Sequence, residues 1–251
     1  MKSITRYIPN TITSLNLLSG CLSIAFAFHG NLAIAGCFIF IAAIFDFFDG
    51  FIARLLKVSS PIGIQLDSLA DMVSFGVAPS IILYNILYWD IHTTCPSLHL
   101  LAYVPFIIAI FSALRLAKFN IDTRQTESFL GLTTTACGLL IASCSIDAYY
   151  PVFMTGEASY NIMHSILSNN YVIIIGSITL SALLVSEIPM FSFKLKKPAE
   201  GVPFFQKYII QIIFLIVALI LIVCLGFTGI SVAILLYILV SVIKWFVTCN
   251  K

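Results

Sequence analysis

Asp46-Phe-Phe-Asp49-Gly50-Phe-Ile-Ala53-Arg54, then eight residues to Gly63, then Asp67 and Asp71: four carboxylates stand between positions 46 and 71 in strongly apolar sequence. Asp46, Asp49, Gly50 and Ala53 fall at i, i+3, i+4 and i+7, so a helix places them on one face, and Asp67 and Asp71 at i, i+4 share a face of the next helix. The intervening Lys57-Val-Ser-Ser-Pro61-Ile-Gly63 reads as a tight turn that folds the two faces together. An ionised carboxylate taken out of water costs several kcal/mol even after relaxation, and only Arg54 is near in sequence to offset four of them. The spacing therefore calls for cations from outside. With no Cys or His in the stretch, hard divalent ions such as Mg²⁺ or Mn²⁺ suit the oxygen donors best.

Composition excludes a soluble globule. Over 251 residues, 60% are hydrophobic and 10% charged, too little polar surface for a water-soluble fold of this size. Eight apolar runs are long enough to cross a hydrocarbon core of roughly 30 Å, near 11–29, 31–55, 65–89, 98–119, 130–149, 171–190, 206–225 and 227–247. The expected architecture is an all-α, polytopic membrane helix bundle of about eight transmembrane helices. No linker or repeat divides it, so residues 1–251 read as one domain, with a core over 8–194 and two extra C-terminal spans over 206–247. No cleavable signal peptide is evident. The seven Cys form no CxxC pair and no regular spacing, so they read as small apolar fillers.

With the N-terminus in the cytoplasm, all thirteen Lys and Arg fall at cytoplasmic span ends. The external loops around 90–97 and 147–170 hold Asp90, Asp147 and Glu157 but no Lys or Arg, as the positive-inside rule requires. Both termini and the Asp cluster are then cytoplasmic. Asp46 lies on the order of 12 Å along its helix from that end, within reach of a lipid headgroup.

Around the cluster, Pro9 suits a bend into the first span, and Asn10 or Thr11 reads as a helix cap. Downstream, Ser74, Val77 and Ala78 extend the Asp67/Asp71 face, and Pro79 is expected to kink that helix, which a membrane span tolerates. Arg115-Leu-Ala-Lys118-Phe-Asn120, Phe129-Leu-Gly131-Leu and Val185-Ser-Glu187-Ile-Pro189-Met-Phe-Ser192 are the remaining polar punctuation.

Asp-x2-Asp-Gly-x2-Ala-Arg-x8-Gly-x3-Asp-x3-Asp, met here at every position, resembles the signature of the CDP-alcohol phosphatidyltransferases. The Ser74-Phe-Gly-Val-Ala-Pro79 run and the three downstream motifs make the chain similar to the phosphatidylserine synthase branch, over most of 8–194. That resemblance implies a membrane enzyme in which Asp46, Asp49, Asp67 and Asp71 hold two divalent cations, Mg²⁺ or Mn²⁺, and Asp71 deprotonates the acceptor. CDP-diacylglycerol and L-serine would give phosphatidylserine and CMP at the cytoplasmic face, in a setting that suits a bacterial inner membrane, with a homodimer left open. It also implies substrate contacts at Gly50, Ala53, Arg54, Gly63, Asn10, Thr13, Ser74, Arg115 and Lys118. Two departures stand out: Lys118 replaces a usual Arg and loses its planar fork, and Thr133 to Thr135 stand where Pro residues are usual. The rivals are another acceptor, glycerol 3-phosphate or inositol phosphate, and an ion-coupled transporter. A phosphorylated acceptor calls for more basic residues than Arg115, Lys118 and Arg124. A transporter calls for acids on other spans, where Glu187 alone is found.

Overall fold

The computed structural model describes residues 7–58, 60–94, 96–121, 130–149, 157–190 and 204–249. It is an all-α bundle. α1 (Tyr7–Phe28) and α2 (Leu32–Leu55) form an antiparallel pair joined at Gly30 (φ 77°), where only three residues separate them and a left-handed backbone is needed. They pack closely because α1 turns a face of small and polar residues inward: Thr13, Asn16, Ser19, Gly20 and Ser23 are all buried. Ser23 Oγ donates to the Ala35 carbonyl at 2.8 Å across that seam.

α2 ends in a six-to-one closure, Val58 N to Ala53 O at 3.0 Å and Lys57 N to Arg54 O at 3.2 Å, with Lys57 in the left-handed region at φ 53°. Ser60 then caps α3 (Pro61–Asp71), accepting from Gly63 N at 3.0 Å, with Pro61 in the first turn, where its missing N–H costs nothing. This is the tight turn that the sequence calls for.

α3 continues through a π-helical turn, Met72–Val77, into α4 (Ala78–Thr94). Pro79 cannot donate, and in a regular α-helix its ring would press on the Phe75 carbonyl; the widened turn relieves that contact. Ser80 Oγ donates to Gly76 O at 2.6 Å. The expected break at Pro79 thus takes the form of a π turn just before it. At 34 residues, the combined stretch spans about 51 Å, longer than a hydrocarbon core of roughly 30 Å.

A 3₁₀ segment (Pro96–Tyr103) leads to α5 (Phe106–Ile121), followed by α6 (Thr134–Tyr149), α7 (Glu157–Leu167), α8 (Asn170–Val185) and α9 (Phe204–Cys249). α6 runs through the middle, its Gly138 against Phe75 and its Ala142 and Ser145 against Gly36 of α2. Phe75, Ile82, Leu87, Ile108, Leu132 and Leu184 are fully or almost fully buried in the core. α9 is folded back at Gly226 (φ 58°, ψ −127°), since the rings of Phe214 and Tyr237 lie only 6.2 Å apart.

Three sequence expectations need correction, and the span count is not confirmed. Among the described residues, five helical stretches are long and apolar enough to cross a membrane, or six if the pair Asn161–Leu167 and Asn170–Val185, bent by 77°, is one span. The expected eight is not confirmed by length, since α6 and α8 have 16 residues each, while the expected runs 206–225 and 227–247 are the two arms on either side of the Gly226 fold in α9. α1 already runs from Tyr7, so Asn10 and Thr11 are inside the helix and cap nothing; Thr11 Oγ1 bonds back to Tyr7 O at 2.9 Å. Asp147 is not in a loop but 1% exposed in α6, where Thr228 Oγ1 donates to it at 2.6 Å. Asp90 and Glu157 are likewise helical, in α4 and α7, and Asn170 Nδ2 donates to Asp90 at 2.6 Å. Of the positions used for orientation, Lys2, Arg6, Arg124, Lys194, Lys196, Lys197 and Lys251 lie outside the described residues, as do Phe129, Phe191 and Ser192 of the motifs.

Candidate active site between α1, α2 and α3

Asp46 and Asp49, one turn apart on α2, meet Asp67 of α3, and one carboxylate oxygen of each lies within 4.8 Å of the others. Asp49 is 5% exposed, and Asp46 and Asp67 are half-buried. No salt bridge links Arg54 to any of the four acids among the described residues; its Nε instead donates to Gly50 O at 2.9 Å, and its side chain is exposed. Three converging acids with only oxygen donors fit a hard divalent cation, since mutual repulsion in a partly dry notch is relieved by positive charge.

Asp49 and Asp67 open onto a cavity of about 150 Å³. Its wall includes Asn10 and Thr13 of α1, Gly50 and Ala53 of α2, Gly63 and Asp67 of α3, and Asp49. The small residues matter sterically. A Cβ at Gly63 would lie 2.9 Å from Asn10 Oδ1 and 3.0 Å from Ser60 Oγ, so any other residue there would push those two side chains aside, the Ser60 cap among them. At Gly50, an added Cβ would meet nothing nearer than Arg54 Nη2 at 4.0 Å, so its lack of a side chain leaves open space.

α1 also supplies hydrogen bonds. Thr13 Oγ1 lies 2.5 Å from Asp49 Oδ2 and 3.0 Å from Pro9 O; its single proton goes to the nearer, charged acceptor. Asn16 Nδ2 donates to Asp71 Oδ1 at 3.2 Å. Asp71 is outside the three-acid cluster. Ser74, singled out from the sequence, is fully buried, donates to Asn16 O at 3.0 Å and does not line the cavity.

Arg115 and Lys118 do not line it either. They border a separate, much smaller cavity of about 10 Å³ with Leu130, Leu184 and Ser186. Here the downstream motifs meet: Gly131 N donates to Ile188 O at 2.9 Å, and Lys118 Nζ lies 3.3 Å from Glu187 Oε1. Gly131 (φ 74°) is fixed by this approach, since a Cβ would come within 2.8 Å of the Leu184 and Ser186 carbonyls. Arg115 is 9% exposed, with its Cζ 5.7 Å from the Phe119 ring centroid and Nη1 donating to Thr134 Oγ1 at 3.2 Å, while Nε has no partner among the described residues. Asn16, Thr134 and Glu187 were not legible as site residues, because nothing along the chain tells which helix each one meets.

A sequence model of the CDP-alcohol phosphatidyltransferases matches residues 6–163, through α1 to α6 and into α7. The chain belongs to this family. The CDP-alcohol phosphatidyltransferase match contains the whole acidic site, the cavity and Arg115, and it ends before α8 and the folded α9. Among curated proteins, the chain is 34% identical to a CDP-diacylglycerol–serine O-phosphatidyltransferase of Bacillus subtilis, over 78% of this chain and 95% of that protein. It is 29% identical to the protein of the same name in Helicobacter pylori, over 94% and 90%. An archaetidylserine synthase of Methanothermobacter thermautotrophicus is 32% identical, over 59% and 63%.

Proposed function

We propose that this integral membrane protein transfers the phosphatidyl group of CDP-diacylglycerol to L-serine, giving phosphatidylserine and CMP. The observation that carries the reading is the convergence of Asp46, Asp49 and Asp67, the last two lining a cavity bordered by Gly50, Ala53 and Gly63. The names of the similar proteins point to serine as the acceptor.

Asp46, Asp49 and Asp67, with Asp71 at their edge, would hold divalent cations, Mg²⁺ or Mn²⁺ and two per site. Such cations neutralise the diphosphate and stabilise the charge that develops on the leaving CMP. The chain's own groups do the rest. Gly50 and Ala53 leave room for the nucleotide against α2, Asn10 borders the same wall, and exposed Arg54 is placed to pair with a phosphate. The serine hydroxyl oxygen attacks the lipid-bearing phosphorus, its proton passes to Asp71, the phosphoanhydride bond breaks, and CMP departs with the bonding electrons. Arg115, a buried cation, is the candidate for the serine carboxylate; Lys118, tied to Glu187, is a weaker one.

In this reading the whole chain is one catalytic domain, with its termini and site on the cytoplasmic side of a bacterial inner membrane. The test is CMP release by purified protein given CDP-diacylglycerol with L-serine, glycerol 3-phosphate, inositol phosphate or no acceptor. Release with serine at least tenfold above the others is expected. Release only with a phosphorylated alcohol would overturn the acceptor, and none with any alcohol would overturn the chemistry.

A further inference from the structure

Asn16 stands in the first span without belonging to the acidic motif, yet it is fully buried and reaches Asp71 Oδ1 at 3.2 Å. A carboxylate only accepts, so the amide must turn its NH₂ toward Asp71. Its own oxygen, Asn16 Oδ1, is then left buried with no partner among the described residues. A side chain kept for packing alone would not leave an acceptor orphaned; leucine, of similar volume, would leave none. The backbone around it is tightly fixed. Ser74 Oγ donates to Asn16 O at 3.0 Å, and the missing side chain of Gly20 admits Ser74 at that place. Thr13, one turn earlier, holds Asp49 in the same way, so α1 presents successive donors to two of the four acids.

We propose that Asn16 is a positioning residue for Asp71: its amide holds Oδ1 and sets the rotamer in which the carboxylate meets the acceptor alcohol. The proposal rests on Asp71 acting as the base in the function above. Asn16 touches neither substrate; it acts through Asp71.

The experiment compares Asn16→Leu and Asn16→Ala, each in the wild-type and the Asp71→Asn background, by CMP release and by thermal unfolding in detergent. In the wild-type background kcat is expected to fall about ten- to hundredfold, as with other residues that orient a reacting group. KM for CDP-diacylglycerol should stay within about threefold, because uniform binding is untouched. The midpoint for Asn16→Leu should stay near the wild-type value, since an orphaned acceptor goes while Asp71 Oδ1 loses its donor. In the Asp71→Asn background, Asn16→Leu should change the residual kcat by less than about twofold, the non-additivity of groups acting as a unit. Asn16→Ala carries the comparison if the Leu variant does not fold. A kcat within twofold of wild type, equal fold-losses in both backgrounds, or a KM rise that matches the kcat loss would each overturn the proposal. Should serine release no CMP, the acceptor assignment fails by itself, and the same comparison is made with the alcohol that reacts.

Discussion

Thr13 Oγ1 donates to Asp49 Oδ2 across 2.5 Å, so a helix that carries none of the four acids orients the most buried member of the acidic cluster. Removing that hydrogen while keeping the shape, Thr13→Val, should raise the Mg²⁺ concentration needed for half-maximal CMP release by about 10–100-fold, the usual effect of losing a partner behind a ligand. Thr13→Ser keeps the hydroxyl and should stay within about threefold of wild type. Equal metal titrations for Val and wild type would show that Asp49 needs no such support.

The division between Asp71 and the three-acid cluster predicts two kinds of failure. Asp46→Asn and Asp67→Asn should abolish turnover and weaken CDP-diacylglycerol binding together, and chelator should stop the wild type until Mg²⁺ or Mn²⁺ returns. Asp71→Asn should leave nucleotide-lipid affinity within a few-fold, yet lower turnover by the ~10²–10⁴ that a general base supplies. Affinity and CMP release measured side by side at saturating metal decide it. Equal loss of affinity in all three would make Asp71 chiefly a ligand.

Far from that end, Thr228 holds the buried Asp147. Thr228→Val should lower stability by about 1–3 kcal/mol, the cost of leaving a buried polar group short of a partner. Below the unfolding range kcat should be unchanged. Thermal scans in detergent alongside the activity assay check both, and a large fall in kcat with an unaltered midpoint would place this seam in the catalytic mechanism instead.

Orientation is open to labelling once the seven native Cys are replaced. A cysteine at Ser168, between α7 and α8, should react with an impermeant reagent added to intact cells, and one at Lys57, between α2 and α3, should react only after lysis. This follows from the Lys and Arg bias. Labelling of position 57 from outside would invert the topology and move the acidic site to the other face.

How much could be read along the chain depended on sequence distance. Helical spacing alone put Asp46, Asp49, Gly50 and Ala53 on one face, and Ser60-Pro61 marked the turn that brings Asp67 to them; both are local effects. Thr13 with Asp49, Asn16 with Asp71 and Thr228 with Asp147 are 36, 55 and 81 residues apart, and periodicity says nothing about which helix will meet which. That is why Asn16 passed as an ordinary span residue and Asp147 as a loop acid. Thr11 misled in the opposite way, since a good cap residue is also tolerated within a helix when its hydroxyl can bond to the previous turn.

The π turn at Met72–Val77 carries one extra residue through what is otherwise continuous α-helix, between the last acid and Pro79. Deleting a single residue there would let the helix wind regularly and keep its length almost unchanged. Five residues of α-helix and six of π-helix also turn through nearly the same angle, so Asp67 and Asp71 would still face α1 and α2, while the Pro79 ring would be set back against the preceding turn. The widened turn thus absorbs one residue without re-aiming the acids, and its loss would show first as a fall in stability at the proline rather than as a turned site.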